Sequence, residues 1–318
     1  METEKSILSM NNMLINLLGP EILTGSAVSI GAFDGLHLGH CHILKNTVDY
    51  ARKHGLTAAA ILFDPLPSQF FGRLGPNDRI LLRDEQEQRL HDLGIERVII
   101  LPFSRLLADL SPEAFLDSMQ QVLHCRRLFM GADFSLGKNR AGNAAVLSKM
   151  GKERGFTTEI IDKDILDGDV ISSTRIRGLL REGKLREADR LLGYPFFFSG
   201  EVIHGDARGR KLGFPTLNVK IPEGKLTLPN GVYAVYNYIN GMKYASVTNI
   251  GVRPTFGLDD KGVFVESYLL NMSGNFYGDT ARLEFIELLR PEIRFESAEA
   301  LGAQIQKDIK RAEQILSW

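Results

Sequence analysis

Only two cysteines occur in the 318 residues, Cys41 and Cys125, far apart and outside any CxxC spacing. That scarcity excludes a disulfide-stapled scaffold and a cysteine-based structural zinc site. Long apolar runs are also missing. Stretches such as residues 57–63 are far too short to cross a bilayer. Charge of one sign is lacking too: 38 Lys and Arg stand against 39 Asp and Glu, so nothing in the composition draws the chain to nucleic acid or an anionic membrane. The first ten residues, METEKSILSM, carry acidic side chains and lack the basic-then-apolar order of a secretory signal. The expected setting is the reducing cytoplasm, with small molecules as partners. Neither a P-loop nor a GxGxxG dinucleotide fingerprint is present, and no internal repeat or low-complexity stretch is visible.

What is present reads as two domains, the prior expectation for this length. Short apolar runs at 27–31, 58–63, 97–101, 128–131 and 158–161 predict strands. Between them lie helical patterns. One spans about 40–54, with Ile43, Leu44, Val48 and Ala51 on one face and Gly55 as its stop. A second covers 84–93, stopped by Gly94. A third starts with Ser111 as N-cap and Pro112 at the first helical position. Continuous apolar strands separated by amphipathic helices predict a parallel sheet covered on both faces. The period changes near 193–195. Alternation over 231–249 around the hairpin dipeptide Asn240-Gly241, further strands at 263–270 and 281–289, and a closing helix from Ser297 follow. Leu301, Ile305, Ile309 and Ile315 mark that helix's apolar side. The expectation is α/β for 1–193 and a small antiparallel barrel ending in a helix for 194–318.

Two constellations carry chemistry. Residues 29–40 read SIGAFDGLHLGH and run from a strand into a helix, the place where ligands bind in a parallel sheet. Gly31, Gly35 and Gly39 let the backbone turn and approach a phosphate. His37 and His40 are three apart, and the helix start itself favours an anion. Two imidazoles there can stabilise charge growing on a phosphate, although in isolation they could merely cap. Residues 171–177 read ISSTRIR, so Ser173, Thr174 and Arg177 offer hydroxyls and guanidinium for the remaining phosphates.

Residues 205–218 read GDARGRKLGFPTLN. Gly205 and Gly209 permit a flexible loop, while Arg208, Arg210 and Lys211 supply positive charge. Thr216 and Asn218 alternate by two and project from one face of a strand. Their oxygens, with phosphate oxygens, suit Mg²⁺. Glu266 sits inside an apolar run, where a charge needs a reason; a general base and a salt bridge are both open readings.

The GxFDGxHxGH and ISSTxIR motifs resemble the adenylyltransferase half of the bifunctional riboflavin kinase/FAD synthetase family. The run 205–218, with PNGVY at 229–233, TNIGVRPTF at 248–256, Glu266 and LRPEIRF at 289–295, resembles its riboflavin kinase half. Together they cover nearly the whole chain. The resemblance implies a Rossmann-like nucleotidyltransferase domain and a barrel kinase domain, both using ATP and Mg²⁺ on riboflavin, FMN and FAD. It implies that Gly31, Phe33, Asp34, Gly39, His37 and His40 meet ATP, with Ser173, Thr174 and Arg177. In the barrel it implies ATP at Gly205, Arg208, Gly209 and Lys211, metal at Thr216 and Asn218, and Glu266 as base. Flavin contacts are implied at Asp133, Tyr233, Asn249, Arg290 and Phe295. The chain departs from the family pattern at Ala32 (usually Asn), Leu66 (usually His), Tyr268 (usually His) and Asn271 (usually Asp). Three rival readings are a paralogue with one working half, a flavin-binding regulator, and nucleotide transfer to another phosphate-bearing acceptor.

Overall fold

In the computed structural model of the chain, the described residues are 12, 25–137, 140–204, 214–252, 263–272 and 274–316. They form two compact units. One comprises the residues up to Pro76 together with Leu81–Ser172, the other Asn77–Ile80 with the chain from Ser173 onward.

The first unit alternates strand and helix as its hydrophobic pattern predicts. Its elements are β1 (Ser26–Ile30), α1 (Leu38–His54), β2 (Thr57–Asp64), α2 (Pro67–Phe70), α3 (Arg83–Asp92), β3 (Arg97–Pro102), α4 (Arg105–Ala108), α5 (Pro112–Leu123), β4 (Cys125–Gly131), β5 (Ser135–Leu136), β6 (Gly142–Asn143), α6 (Ala144–Glu153), β7 (Thr157–Ile161), β8 (Ile165–Leu166) and β9 (Asp169–Val170). Strands β3-β2-β1-β4-β7 make one sheet in that order, parallel throughout. Its faces divide by strand parity. Val28, Ile30, Ala59, Ile61, Leu128 and Met130 pack with Phe115, Leu116 and Met119 of α5. Ala27, Ala58, Ala60 and Phe129 are equally buried, and α1, with buried Ile43, Leu44 and Val48, packs on β1, β2 and β4. Each buried Val, Leu, Ile, Phe or Met among them contributes about 1.5–3 kcal/mol. Gly55 ends α1 in the left-handed conformation, as expected of a glycine stop. The chain runs outward from β1 to β3 on one side and resumes at β4 on the other. The strand order therefore reverses between β1 and β4, which opens a crevice at their carboxyl ends.

The second unit holds α7 (Ser173–Arg181), α8 (Leu185–Leu192), β10 (Phe197–Ile203), β11 (Leu217–Val219), β12 (Gly231–Ile239), β13 (Met242–Val252), β14 (Val263–Leu269), β15 (Thr280–Pro291) and α9 (Ala298–Ile315). Strands β10-β11-β14-β13-β12-β15 close into an antiparallel barrel. The hairpin β12–β13 turns at Asn240 and Gly241, both with positive φ, as the dipeptide demands. Helix α9 covers the outer face: Ile309, Ala312, Ile315 and Leu316 pack on Val232, Ala234, Ala245 and Val247. Helices α7 and α8 precede the sequence's change of period at 193–195 yet group with the barrel, because α8 packs on β15 and Arg186 pairs with Glu287 at its N-terminal turn.

Candidate functional sites

The first site grows from the turn after β1. His37 is the N-cap of α1, and its Nδ1 accepts the His40 N–H at 3.3 Å. With Nδ1 an acceptor, the proton of the neutral ring resides on Nε2. The two imidazoles stack with centroids 3.6 Å apart and planes 17° apart, and Phe33 meets His40 edge-on at 5.3 Å. The histidines thus both cap and cluster. Phe33, Gly35 and Leu36 all adopt positive φ, an uncommon conformation for the two non-glycine residues. The loop is held there by Gln86 of α3, whose amide donates to Ala32 O at 3.0 Å and Phe33 O at 2.9 Å. Asp34 is buried and accepts the Leu81 N–H. A Cβ on Gly31 would lie 3.0 Å from the Phe33 ring, so a side chain there would press on that ring. Gly39 sits beside the His37 ring and the Asp164 carboxylate, which is also bound to His42 Nδ1 at 3.2 Å.

Asp133 follows β4 at the same carboxyl edge. Lys163 pairs with it at 2.9 Å, and Arg140 donates to its carbonyl at 3.2 Å. Beyond the ends of β2 and β3 the structure reveals four phenylalanines that sequence reading missed. Phe103 lies edge-on to Phe63, Phe70 and Phe71 at 5.6, 5.3 and 5.9 Å. Phe70 and Phe71 are 38% and 48% exposed, an open aromatic surface at the ligand-binding edge of the sheet. Leu66, one of the departures, is buried at the start of α2, and Ala32 is exposed.

Ser173, Thr174 and Arg177 occupy the first turns of α7 in the second unit. Thr174 is exposed; Arg177 is buried and its Nε donates to Asp78 O at 3.0 Å. Gly205, Arg208, Gly209 and Lys211 lie outside the described residues.

In the barrel, strand register does what spacing alone could not. Asn218 stands opposite Glu266, Glu266 opposite Asn249, Asn249 opposite Val232, and Val232 opposite Arg290. One row across five strands therefore carries four of the sequence-selected residues, side by side at cross-strand distances of about 5 Å. Thr216 precedes β11, two residues before Asn218. Asn218 is 6% exposed, and among the described residues its Oδ1 has no hydrogen-bond partner. A buried amide oxygen left so costs about 1–3 kcal/mol, a condition that Asn237 Oδ1 in the barrel interior shares among the described residues.

Directly behind the row, inside the barrel, Thr248 and Ser267 face each other at 2.8 Å, and Asn237 donates to Ser246 and Ser267 at 2.6 and 3.0 Å. This polar core ties β13 to β14 and fixes the Asn249–Glu266 register. Tyr233 belongs to that interior too. It is fully buried, lies edge-on to Phe285, and donates its hydroxyl to Pro229 O; burial pushes its pKa up. At the row's end, Arg290 makes contacts of 2.9–3.1 Å to Asp308 of α9, and its guanidinium lies 5.6 Å from the Phe295 ring. Asp308 interrupts the apolar side of α9, a signal that the sequence offered. Tyr268 packs in the cluster under α9, and Asn271 takes a positive φ in the turn after β14.

Comparison with known proteins follows the same division. A family model described as FAD synthetase matches residues 19–175, and one described as riboflavin kinase matches 192–316. A bifunctional riboflavin kinase/FMN adenylyltransferase of Listeria monocytogenes is 37% identical over 88% of this chain and 89% of its own. The protein of that name from Bacillus subtilis is 35% identical over 90% and 91%. A crystal structure of a protein named macrolide-efflux protein, from Streptococcus pneumoniae, matches with a TM-score of 0.85 at 27% identity, covering 94% of this chain and 96% of that one. Among the described residues of this chain no helix is long and apolar enough to cross a membrane.

Proposed function

Since the chain belongs to the bifunctional riboflavin kinase/FMN adenylyltransferase family, we propose an assignment of its side chains to two consecutive reactions. The protein is a transferase that phosphorylates riboflavin to FMN and adenylylates FMN to FAD, with ATP as donor in both steps. In this reading residues 1–193 carry adenylylation and 194–318 carry phosphorylation, in a cytoplasmic setting.

For the kinase step, the row from Asn218 to Arg290 carries the assignment. Glu266 takes the proton of the ribityl 5′-hydroxyl as it attacks the γ-phosphate of ATP, releasing ADP. Asn249 flanks the glutamate, and Arg290 with Phe295 borders the flavin from the end of β15, with buried Tyr233 supporting the strand from beneath. The residues fit Mg²⁺: Asn218 Oδ1, without a hydrogen-bond partner among the described residues, and Thr216 two positions earlier offer the few oxygen donors this ion takes from protein. The ion would supply charge neutralisation between the phosphates. Gly205, Arg208, Gly209 and Lys211 are assigned to the triphosphate on their sequence pattern.

For the adenylyl step, the FMN phosphate attacks the α-phosphate of ATP and pyrophosphate leaves. His37 and His40 hold the growing negative charge, His37 donating from Nε2. Gly31, Phe33, Asp34 and Gly39 shape the turn that receives the nucleotide; Ser173, Thr174 and Arg177 are assigned to phosphates on their sequence pattern alone. The step is largely positioning and electrostatics. The exposed Phe70 and Phe71, backed by partly buried Phe103, give the isoalloxazine a stacking platform, and Asp133 is assigned to the flavin on its sequence pattern.

Incubating the purified chain with riboflavin, ATP and Mg²⁺ tests this reading. FMN should form first with one ADP, then FAD with one pyrophosphate. Formation of neither flavin overturns it, and FMN without FAD restricts it to the kinase half.

A further inference from the structure

Helix α3 carries a single apolar residue, Leu90, and the residue one turn before it on the same inward face is Gln86. Both are buried, Gln86 to 5% exposure. A buried amide needs partners or it costs the fold. The Gln86 Nε2 finds them on the turn after β1, donating to Ala32 O at 3.0 Å and Phe33 O at 2.9 Å. Just ahead of the same helix, the Leu81 N–H donates to the Asp34 carboxylate. Three consecutive residues, Ala32, Phe33 and Asp34, are thus tied to the start of α3. Both amide contacts go to carbonyl oxygens, which only a donor can meet. A carboxylate in that place would be repelled.

What Gln86 holds bears directly on the histidines. Phe33 has a φ of 47°, a conformation that costs a non-glycine residue energy and persists only where its surroundings fix it. Its buried ring lies edge-on to His40 at 5.3 Å, and His40 stacks on His37 at 3.6 Å. A chain of contacts therefore runs from the amide through the Phe33 backbone and ring to both imidazoles. We propose that Gln86 is a positioning residue of the adenylyl step: by holding the Phe33 carbonyl it sets where His40 meets the charge growing on the α-phosphate. This role rests on the adenylyl reading above and adds to it a residue far outside the strand–helix junction.

Displacing a charge-stabilising group by about 1 Å costs up to about 100-fold in rate. The experiment is steady-state FAD formation from FMN, ATP and Mg²⁺ by the full chain carrying Gln86→Glu, Gln86→Met or Gln86→Lys, each alone and combined with His40→Ala. Glutamate and methionine match the side chain's length but donate no hydrogen bond at neutral pH, whereas lysine donates. The first two should lower kcat by about 10- to 100-fold with the KM for FMN within threefold. Gln86→Lys should stay within a few-fold of wild type. In the His40→Ala background the same changes should cost less than about threefold, because the group they displace is already gone. FMN formation from riboflavin should stay within twofold throughout. Losses of equal size in both backgrounds would show a merely structural role and overturn the proposal. A kcat within twofold of wild type for both Gln86→Glu and Gln86→Met overturns it too, as does a lysine variant no better than the methionine one. Wild type that forms no FAD from FMN would instead refute the adenylyl reading itself.

Discussion

Asn218 on β11 faces Glu266 on β14 across one rung of the barrel, an oxygen without a partner among the described residues beside a carboxylate. On the proposed reading, the asparagine costs the fold stability and serves the bound cation. Replacing it therefore separates stability from function. Asn218→Leu should lower FMN formation by at least about 100-fold, while removal of a desolvated amide of about 1–3 kcal/mol leaves Tm unchanged or about 2–4 °C higher. Thermal unfolding alongside the kinase assay checks both halves of the expectation.

The aromatic surface at the ends of β2 and β3 makes a different prediction. Phe71 is 48% exposed, so its removal costs the fold little. Phe71→Ala should raise the KM for FMN in FAD synthesis by about tenfold, the value of one aromatic stack. FMN formation from riboflavin should be unaffected. Product chromatography with each flavin as sole substrate resolves the two.

Arg290 and Asp308 form a buried pair, with side chains 17% and 6% exposed. Breaking such a pair leaves a charge without its counter-ion and costs about 3–5 kcal/mol. Asp308→Asn should destabilise the second unit by that order in urea unfolding. A double change to Arg290→Met and Asp308→Leu should recover most of the loss in stability but not riboflavin affinity, since the border of the flavin site is gone.

Burial raises the pKa of Asp189, aided by Glu284 and opposed by the Phe196 N–H that it accepts at 2.9 Å, to about 7. The folded state thus holds a proton that the unfolded chain releases near 4. Stability from this group is complete below pH 4, falls as pH rises to about 7, and changes no further above it. Asp189→Asn keeps the acceptor for Phe196 and cannot ionise. It should be more stable than wild type by about 3–4 kcal/mol at pH 8 and show no advantage at pH 4, as read by urea unfolding at the two pH values.

How much of this was legible in the sequence depends on whether the information is local. The turn bearing His37 and His40 could be read because glycines and histidines lie within ten residues at a strand–helix junction, where the backbone alone dictates the site. The parallel sheet and the Asn240-Gly241 hairpin were legible for the same reason. The row through Asn218, Glu266, Asn249 and Arg290 was not, since each member is set by pairing with a strand far away in sequence. Tyr233 illustrates the ambiguity: alternation shows that it and Val232 face opposite ways, but only barrel closure shows which faces inward. The four phenylalanines escaped notice because residues 63, 70, 71 and 103 converge only when β2 and β3 lie side by side. Gln86, which holds the turn after β1 by two carbonyls, sits in a helix whose polar sequence looks like an ordinary solvated face.

The account stands or falls on a separation of labour between Glu266 and the histidine pair. Supplying Glu266→Gln with ATP and Mg²⁺, and with either riboflavin or FMN, tests it in one measurement by flavin chromatography. The expected result is FAD from FMN at the wild-type rate and FMN from riboflavin reduced by about 10²–10⁴-fold, the contribution of a general base. FMN production by this variant within a few-fold of wild type would contradict it.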